Sequence, residues 1–145
     1  MSGKVAAIWL KRFRRGPMDS VQAAQLVAGR GLAGNADQGG KRQITIIDEG
    51  AWHDVERELD ASISPSTRRA NVMLSGVDLE KSRGRTLAIN GVRVRIYGET
   101  RPCERMEEAH TGLRETMNPH WRGGAYGEVL DDGEIHVGDT AEWTE

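Results

Sequence analysis

Cysteine and aromatic residues are scarce in this chain of 145 residues, which has one Cys, one Phe, two Tyr and four Trp. The solitary Cys103 excludes an internal disulfide and any multi-thiolate zinc or iron–sulfur site, and it suits a reducing compartment. No apolar run approaches the roughly 20 residues needed to span a bilayer; Val5 to Leu10 is cut short by Lys11 and Arg12. There is no internal repeat, low-complexity tract or linker. An excess of positive charge is also missing: 20 Lys and Arg face 22 Asp and Glu, for a net charge of -2, which gives no case for a nucleic-acid binder. These absences predict a soluble, cytoplasmic protein with neither a nucleic-acid nor a membrane partner.

The length predicts one domain over residues 1–145, large enough to stabilise its own core. Its charge is uneven. Residues 1–100 carry 16 basic and 11 acidic side chains and residues 101–145 carry 4 and 11, so the first part is +5 and the rest -7.

Short strands dominate the pattern. Thr86 to Tyr97 reads TLAI-NG-VRVRIY, and Asn90-Gly91 suits the positive φ angles of a two-residue type I′ turn. That register faces Ile89 with Val92 and Leu87 with Val94, placing both pairs and Ile96 on one face. A second hairpin is expected at Asp132-Gly133, with Leu130 opposite Ile135. Further strands are expected at Val5 to Leu10, Val21 to Ala28, Gln43 to Ile47, Ala70 to Ser75 and Thr140 to Trp143. Asp48 can cap a helix to Leu59, because Trp52, Val55 and Leu59 recur at helical spacing. That helix reads as a lid or buttress rather than a crossover in a regular alternation. A second short helix is expected from Pro102 or Cys103 to His110, and residues 112–124 as a loop with a turn of helix. The fold class expected is mostly β: an antiparallel β-barrel with a few short helices packed on it.

Several motifs invite chemistry. Gly29 to Gly34 matches G-x-G-x-x-G, but the helix required after it is absent, and Gly40-Lys41-Arg42 fails the phosphate-loop pattern. What is left is a loop with five glycines among Arg30, Lys41 and Arg42, able to approach an anion closely. Arg68 and Arg69 enter an expected strand and so should point to opposite sides; one reading leaves both solvated, the other turns one inward toward an anion such as phosphate. Cys103 follows a well-defined strand and stands between Arg101 and Arg105 near a helix start. Those cations favour the thiolate that attacks electrophiles or ligates soft metals, and Glu104, Glu107 and Glu108 oppose it. A lone cysteine also serves as a small buried hydrophobe, but charge and Pro102 make this a poor core position. His53, His110, His120 and His136 share no ligand spacing. His120-Trp121-Arg122-Gly123-Gly124 suits a tight turn or a ligand rim.

Taken in order, Gly31-Leu32-x-Gly34, Arg42 to Ile46, Arg69-x-Asn71-Val72 with Gly76 to Leu79, Arg101-Pro102-Cys103, Arg122-Gly123-Gly124 and Gly133 to Asp139 resemble the MOSC domain. That family is named for the C-terminal part of molybdenum cofactor sulfurases, and the resemblance runs from about residue 5 to 143. It implies a β-rich barrel with appended helices. In the members similar to the mitochondrial amidoxime reducing component, the cysteine matching Cys103 ligates molybdenum held by a pterin dithiolene, while basic and polar groups clasp the pterin phosphate. In the sulfurases the domain helps bind the cofactor and pass it sulfur. The resemblance therefore implies a molybdenum cofactor of the molybdopterin type, with Cys103 as metal ligand or sulfur acceptor. It implies cofactor contacts from Arg69 and Asn71; Arg68, Arg30 and Arg122 join them on arginine chemistry. It implies an oxidoreductase acting on N-hydroxylated or N-oxygenated small molecules with an electron-donating reductase as partner. The alternative is a persulfide carrier or cofactor-delivery module fed by a sulfur donor protein. Pyridoxal phosphate is not expected. One departure stands out: where the family commonly continues its first glycine motif with Asp, a basic residue and His or Tyr, Gly34 is followed here by Asn35-Ala36-Asp37.

Overall fold

A computed structural model describes residues 3–144. The chain begins with β1 (Gly3–Lys11), β2 (Met18–Val21), β3 (Ala23–Val27), β4 (Gly31–Leu32) and β5 (Ile44–Asp48), followed by α1 (Glu49–Leu59) and β6 (Val72–Ser75). β7 (Thr86–Ile89) and β8 (Val92–Glu99) lead into α2 (Glu104–Ala109) and α3 (Leu113–Met117), and β9 (Ala125–Val129), β10 (Gly133–His136) and β11 (Thr140–Thr144) complete it. The spatial order β11-β7-β8-β9-β5-β6-β1, with β1 paired back onto β11, closes a seven-strand barrel. β2 pairs along the last part of β1, from Ile8 to Lys11, and β10-β3-β4 form a small second sheet.

The expected β-rich barrel is therefore present, with one correction. β5 and β6 run parallel, Ile46 opposite Val72, so the barrel is mixed. α1 is the connection that makes this possible, a single crossover as well as a buttress, since parallel neighbours cannot be joined by a tight turn. Its start is as expected: Asp48 is the N-cap and its Oδ2 accepts from the Ala51 amide at 3.1 Å.

The β7–β8 hairpin has the expected register, Ile89 opposite Val92 and Leu87 opposite Val94. Asn90 and Gly91 both have positive φ, at 48° and 78°. The inward face, including Ile96, is buried. The expected second hairpin is absent, because β10 pairs with β3, Ile135 opposite Ala24. Side chains divert the chain there. Asp132 Oδ1 accepts from the Ala28 amide (2.8 Å), and Asp131 grips Arg93 through both its amide and its guanidinium. The single strand expected over residues 21–28 is also split, β2 lying in the barrel sheet and β3 in the small one.

One core cluster joins the barrel interior to the small sheet, uniting Ile8, Ile44, Leu74 and Ile96 with Leu26, Leu32 and Ile135. A second cluster, Trp52, Val55, Ile63, Met106, Leu113 and Met117, binds α1, α2 and α3 together on the outside. The connection from β8 to α2 thus passes between two packed bodies.

Candidate functional site

A cavity of about 170 Å³ opens at the barrel end where β1 finishes and β6 begins. Lys11, Arg42, Arg68, Arg69 and Arg105 line it, against one carboxylate, Asp37. Cys103 stands on its wall and is exposed to solvent. The sulfur is presented by chain geometry. Pro102 precedes it, Cys103 is the N-cap of α2, and its side chain makes no capping bond. Its carbonyl accepts from the Met106 amide at 2.9 Å.

Arg68 and Arg69 do not enter a strand. Arg68 ends a 3-10 turn, Pro65–Arg68, and Arg69 is its left-handed cap at φ 63°, so both side chains reach the same cavity rather than opposite sides. Arg68 is only 8% exposed. Its Nε donates to Gly123 O (2.8 Å), and its Nη2 donates to Thr100 O (3.0 Å) and Arg101 O (3.4 Å). Burial pushes its guanidinium down to about 10; the nearby Cys103 sulfur opposes that fall and the Arg42 charge adds to it. Carbonyl dipoles solvate this cation, yet among the described residues it has no carboxylate partner. A buried charge in that state favours an anion beside it. The same bonds explain Gly123, two residues before β9. A Cβ on Gly123 would lie 2.3 Å from Thr100 O, closing the approach that Arg68 uses.

Arg69 donates through Nη2 to Gly16 O in the β1–β2 connection. Asn71 lines the cavity but its amide is already engaged. Its Oδ1 accepts from Thr45 N and Oγ1, and its Nδ2 donates to Trp9 O and Asn35 Oδ1. Its place is that of a clasp for the wall. Arg30 and Arg122 are not brought to the cavity. Arg30 is exposed on the turn before β4. Arg122 donates to Thr116 O (3.0 Å) and Glu58 Oε2 (2.6 Å), tying the end of α3 to α1.

The sequence reading does not name Lys11, Asp37, Thr45 or Thr100 as site residues; Asp37 enters it only in the departure after Gly34. Arg42 enters that reading as a cation of the glycine-rich loop and as the start of a family motif, and Arg105 as a cation beside Cys103. Their signal was local charge; their convergence depends on barrel topology.

The cavity residues suit a phosphate-bearing guest that brings a soft metal with it. The cation excess is four, and the buried Thr100 Oγ1 in the wall has no partner among the described residues. Among the described residues no group of three or more His, Cys, Asp or Glu could hold a metal, so a metal held here would have to bring most of its own donors, and the one thiol in the wall is Cys103. At about 170 Å³ the cavity is smaller than the roughly 300–1,000 Å³ that encloses a drug-sized ligand, and a large guest would be only partly covered.

No curated protein matches the chain. Among solved structures it is similar to the YuaD protein from Bacillus subtilis, with 19% identity and a TM-score of 0.81 over 97% of this chain and 94% of that one. It is also similar to YiiM from Geobacillus stearothermophilus, with 15% identity and a TM-score of 0.77 over 99% of this chain and 75% of that one. For YiiM from Escherichia coli the values are 14% and 0.76, over 100% and 70%. At these identities the likeness concerns the fold. The model of the MOSC domain matches residues 29–142, from the glycine-rich loop to β11, and on that match the chain belongs to the MOSC domain family.

Proposed function

We propose that this MOSC protein binds a molybdenum cofactor of the molybdopterin type at the basic cavity and acts as an oxidoreductase on N-hydroxylated or N-oxygenated small molecules. The observation that carries the reading is an exposed thiol on the wall of a cavity with five cations and one carboxylate. When bound, such a cofactor would supply the two-electron centre that removes oxygen from the substrate. Cys103 would give the metal its one protein ligand, and Arg42, Arg69 and Arg105 would hold the phosphate. Arg68, fixed by three carbonyls, would keep a positive charge beside the sulfur. The open mouth leaves room for a small substrate. The chemistry suits the cytoplasm, where a free thiol stays reduced, and neither nucleic acid nor membrane enters it.

Electrons would come from a reductase partner. The β1–β2 connection supports a docking place, since Phe13 is 62% exposed between Arg12, Arg14 and Arg15, while Lys11 and Met18 on either side line the cavity. An apolar knob among cations fits an acidic protein surface.

Protein produced in cells with ample cofactor supply should carry stoichiometric molybdenum, and Cys103→Ser should carry little. Equal metal in both would remove Cys103 as the ligand and end this reading. The exposure of Cys103 also favours a second one, in which Cys103 takes the outer sulfur of a persulfide on a sulfur donor protein and the donor's thiol leaves. Intact-mass measurement showing one added sulfur, lost in Cys103→Ser and without metal, would select it.

A further inference from the structure

The one carboxylate in the cavity wall is placed with care. Asp37 Oδ2 lies 2.8 Å from Lys11 Nζ; the lysine side chain is 21% exposed and the aspartate 59%. The chain around Asp37 is pinned. The Ala36 amide donates to Lys11 O (2.6 Å), the Lys11 amide donates to Asn35 Oδ1 (2.8 Å), and Gln38 Nε2 donates to Leu32 O and Asn35 O. Asn35, only 5% exposed, thus anchors the loop to β1 and, through Asn71, to the approach to β6. The Asp37 carboxylate itself makes no other bond among the described residues.

We propose that Asp37 is a tethered counter-ion that holds Lys11 in this structure and is displaced from it by an incoming multiply charged anion. It would set the affinity of the cavity and select phosphate-like groups over single charges. The inference rests on the anion-binding part of the reading above and is independent of the metal. A monoanion gains nothing by replacing a carboxylate already in place, whereas a phosphoryl group offers Lys11 more charge and more acceptor oxygens. Since the backbone on both sides of Asp37 is fixed, only its side chain needs to turn outward, and it is already more than half exposed.

Calorimetric titration of the full chain with inorganic pyrophosphate, at constant ionic strength, tests this. Asp37→Asn should bind pyrophosphate roughly two- to five-fold more tightly than the natural chain, the worth of one partly exposed ion pair. Lys11→Met should bind more weakly, and adding Asp37→Asn to it should recover little, because the masked cation is gone. Unchanged affinity in Asp37→Asn would overturn the counter-ion while leaving the pocket standing. A full gain from Asp37→Asn even in the Lys11→Met background would also overturn it, since Asp37 would then act as a diffuse field. Absence of pyrophosphate binding in every variant, with thermal unfolding unchanged, would remove the anion pocket itself and this inference with it.

Discussion

Among the described residues, the buried Arg68 at the cavity and the half-buried Asp48 at the start of α1 each lack an opposite charge, and their consequences differ. Desolvation raises the Asp48 carboxyl above its usual 3.8, outweighing the Ala51 and Gly50 amides that favour ionisation, and Asp78 adds to the rise. Its Oδ1 atom is buried with no partner among the described residues. A raised value means that the folded chain holds the proton more tightly than the unfolded one, so the contribution of Asp48 is fully present below about 3.8 and fades as pH climbs through the folded value. Asp48→Asn retains an N-cap of equal quality and does not titrate. Urea unfolding of both proteins from pH 3.5 to 7 should show the natural chain losing ground to Asp48→Asn as pH rises; the opposite trend would contradict the assignment. The cap itself was legible, since an Asp ahead of a helical stripe is a local signal. Cys103 was singled out for equally local reasons, between two arginines after a strand. The Lys11–Asp37 pair was not legible, because 26 positions separate partners that only the barrel brings together.

Among the elements, hairpins show where local reading ends. β7 and β8 were legible to the register because Asn90-Gly91 and the alternating pattern agree, and nothing outside the hairpin needs to be known. Asp132-Gly133 carries a similar turn signal, yet β10 leaves β9 for β3, whose Ala24 and Leu26 stand opposite Ile135 and Gly133. The same contrast governs glycines. Gly91, at φ 78°, has nothing within 4 Å of a Cβ, so Gly91→Ala should cost only the left-handed backbone penalty, about 1–2 kcal/mol. Gly124, at φ 96°, would place a Cβ 2.1 Å from Ile46 O and 2.9 Å from Ile47 Cγ2. Gly124→Ala should therefore force β9 away from β5 and cost about 2–4 kcal/mol, with collateral loss at the adjacent Gly123–Arg68 contact. Chemical denaturation compares the two, and equal losses would mean that the wall between β9 and β5 yields more easily than its contacts imply.

At the scale of the whole molecule, no single segment announces barrel closure. It depends on β1 meeting β11 across nearly the entire chain, Gly3 opposite Ala141 and Lys4 opposite Thr140. The seam is short because β2 takes the rest of that edge of β1, from Ile8 to Lys11. Two further bonds, Val5 N to Asp139 O and Gly138 N to Val5 O, both 2.8 Å, extend it slightly. By contrast β8 and β9 pair from Val94 to Glu99. Local openings draw on the least supported pairings first, so the Val5 and Gly138 amides should exchange with solvent deuterium through a smaller opening than amides in the β8–β9 ladder. Equal protection across both would mean that the barrel opens only as a unit. The position of the seam matters for the site. Lys11 lies at the far end of β1, eight steps of about 3.3 Å from Gly3, roughly 25 Å along the strand. Pyrophosphate should therefore slow exchange near Asn35 to Asp37 and Arg69 to Asn71 while leaving the seam unchanged. A seam that tightened with the ligand would show that closure and anion binding are one transition, and that the barrel transmits strain along β1.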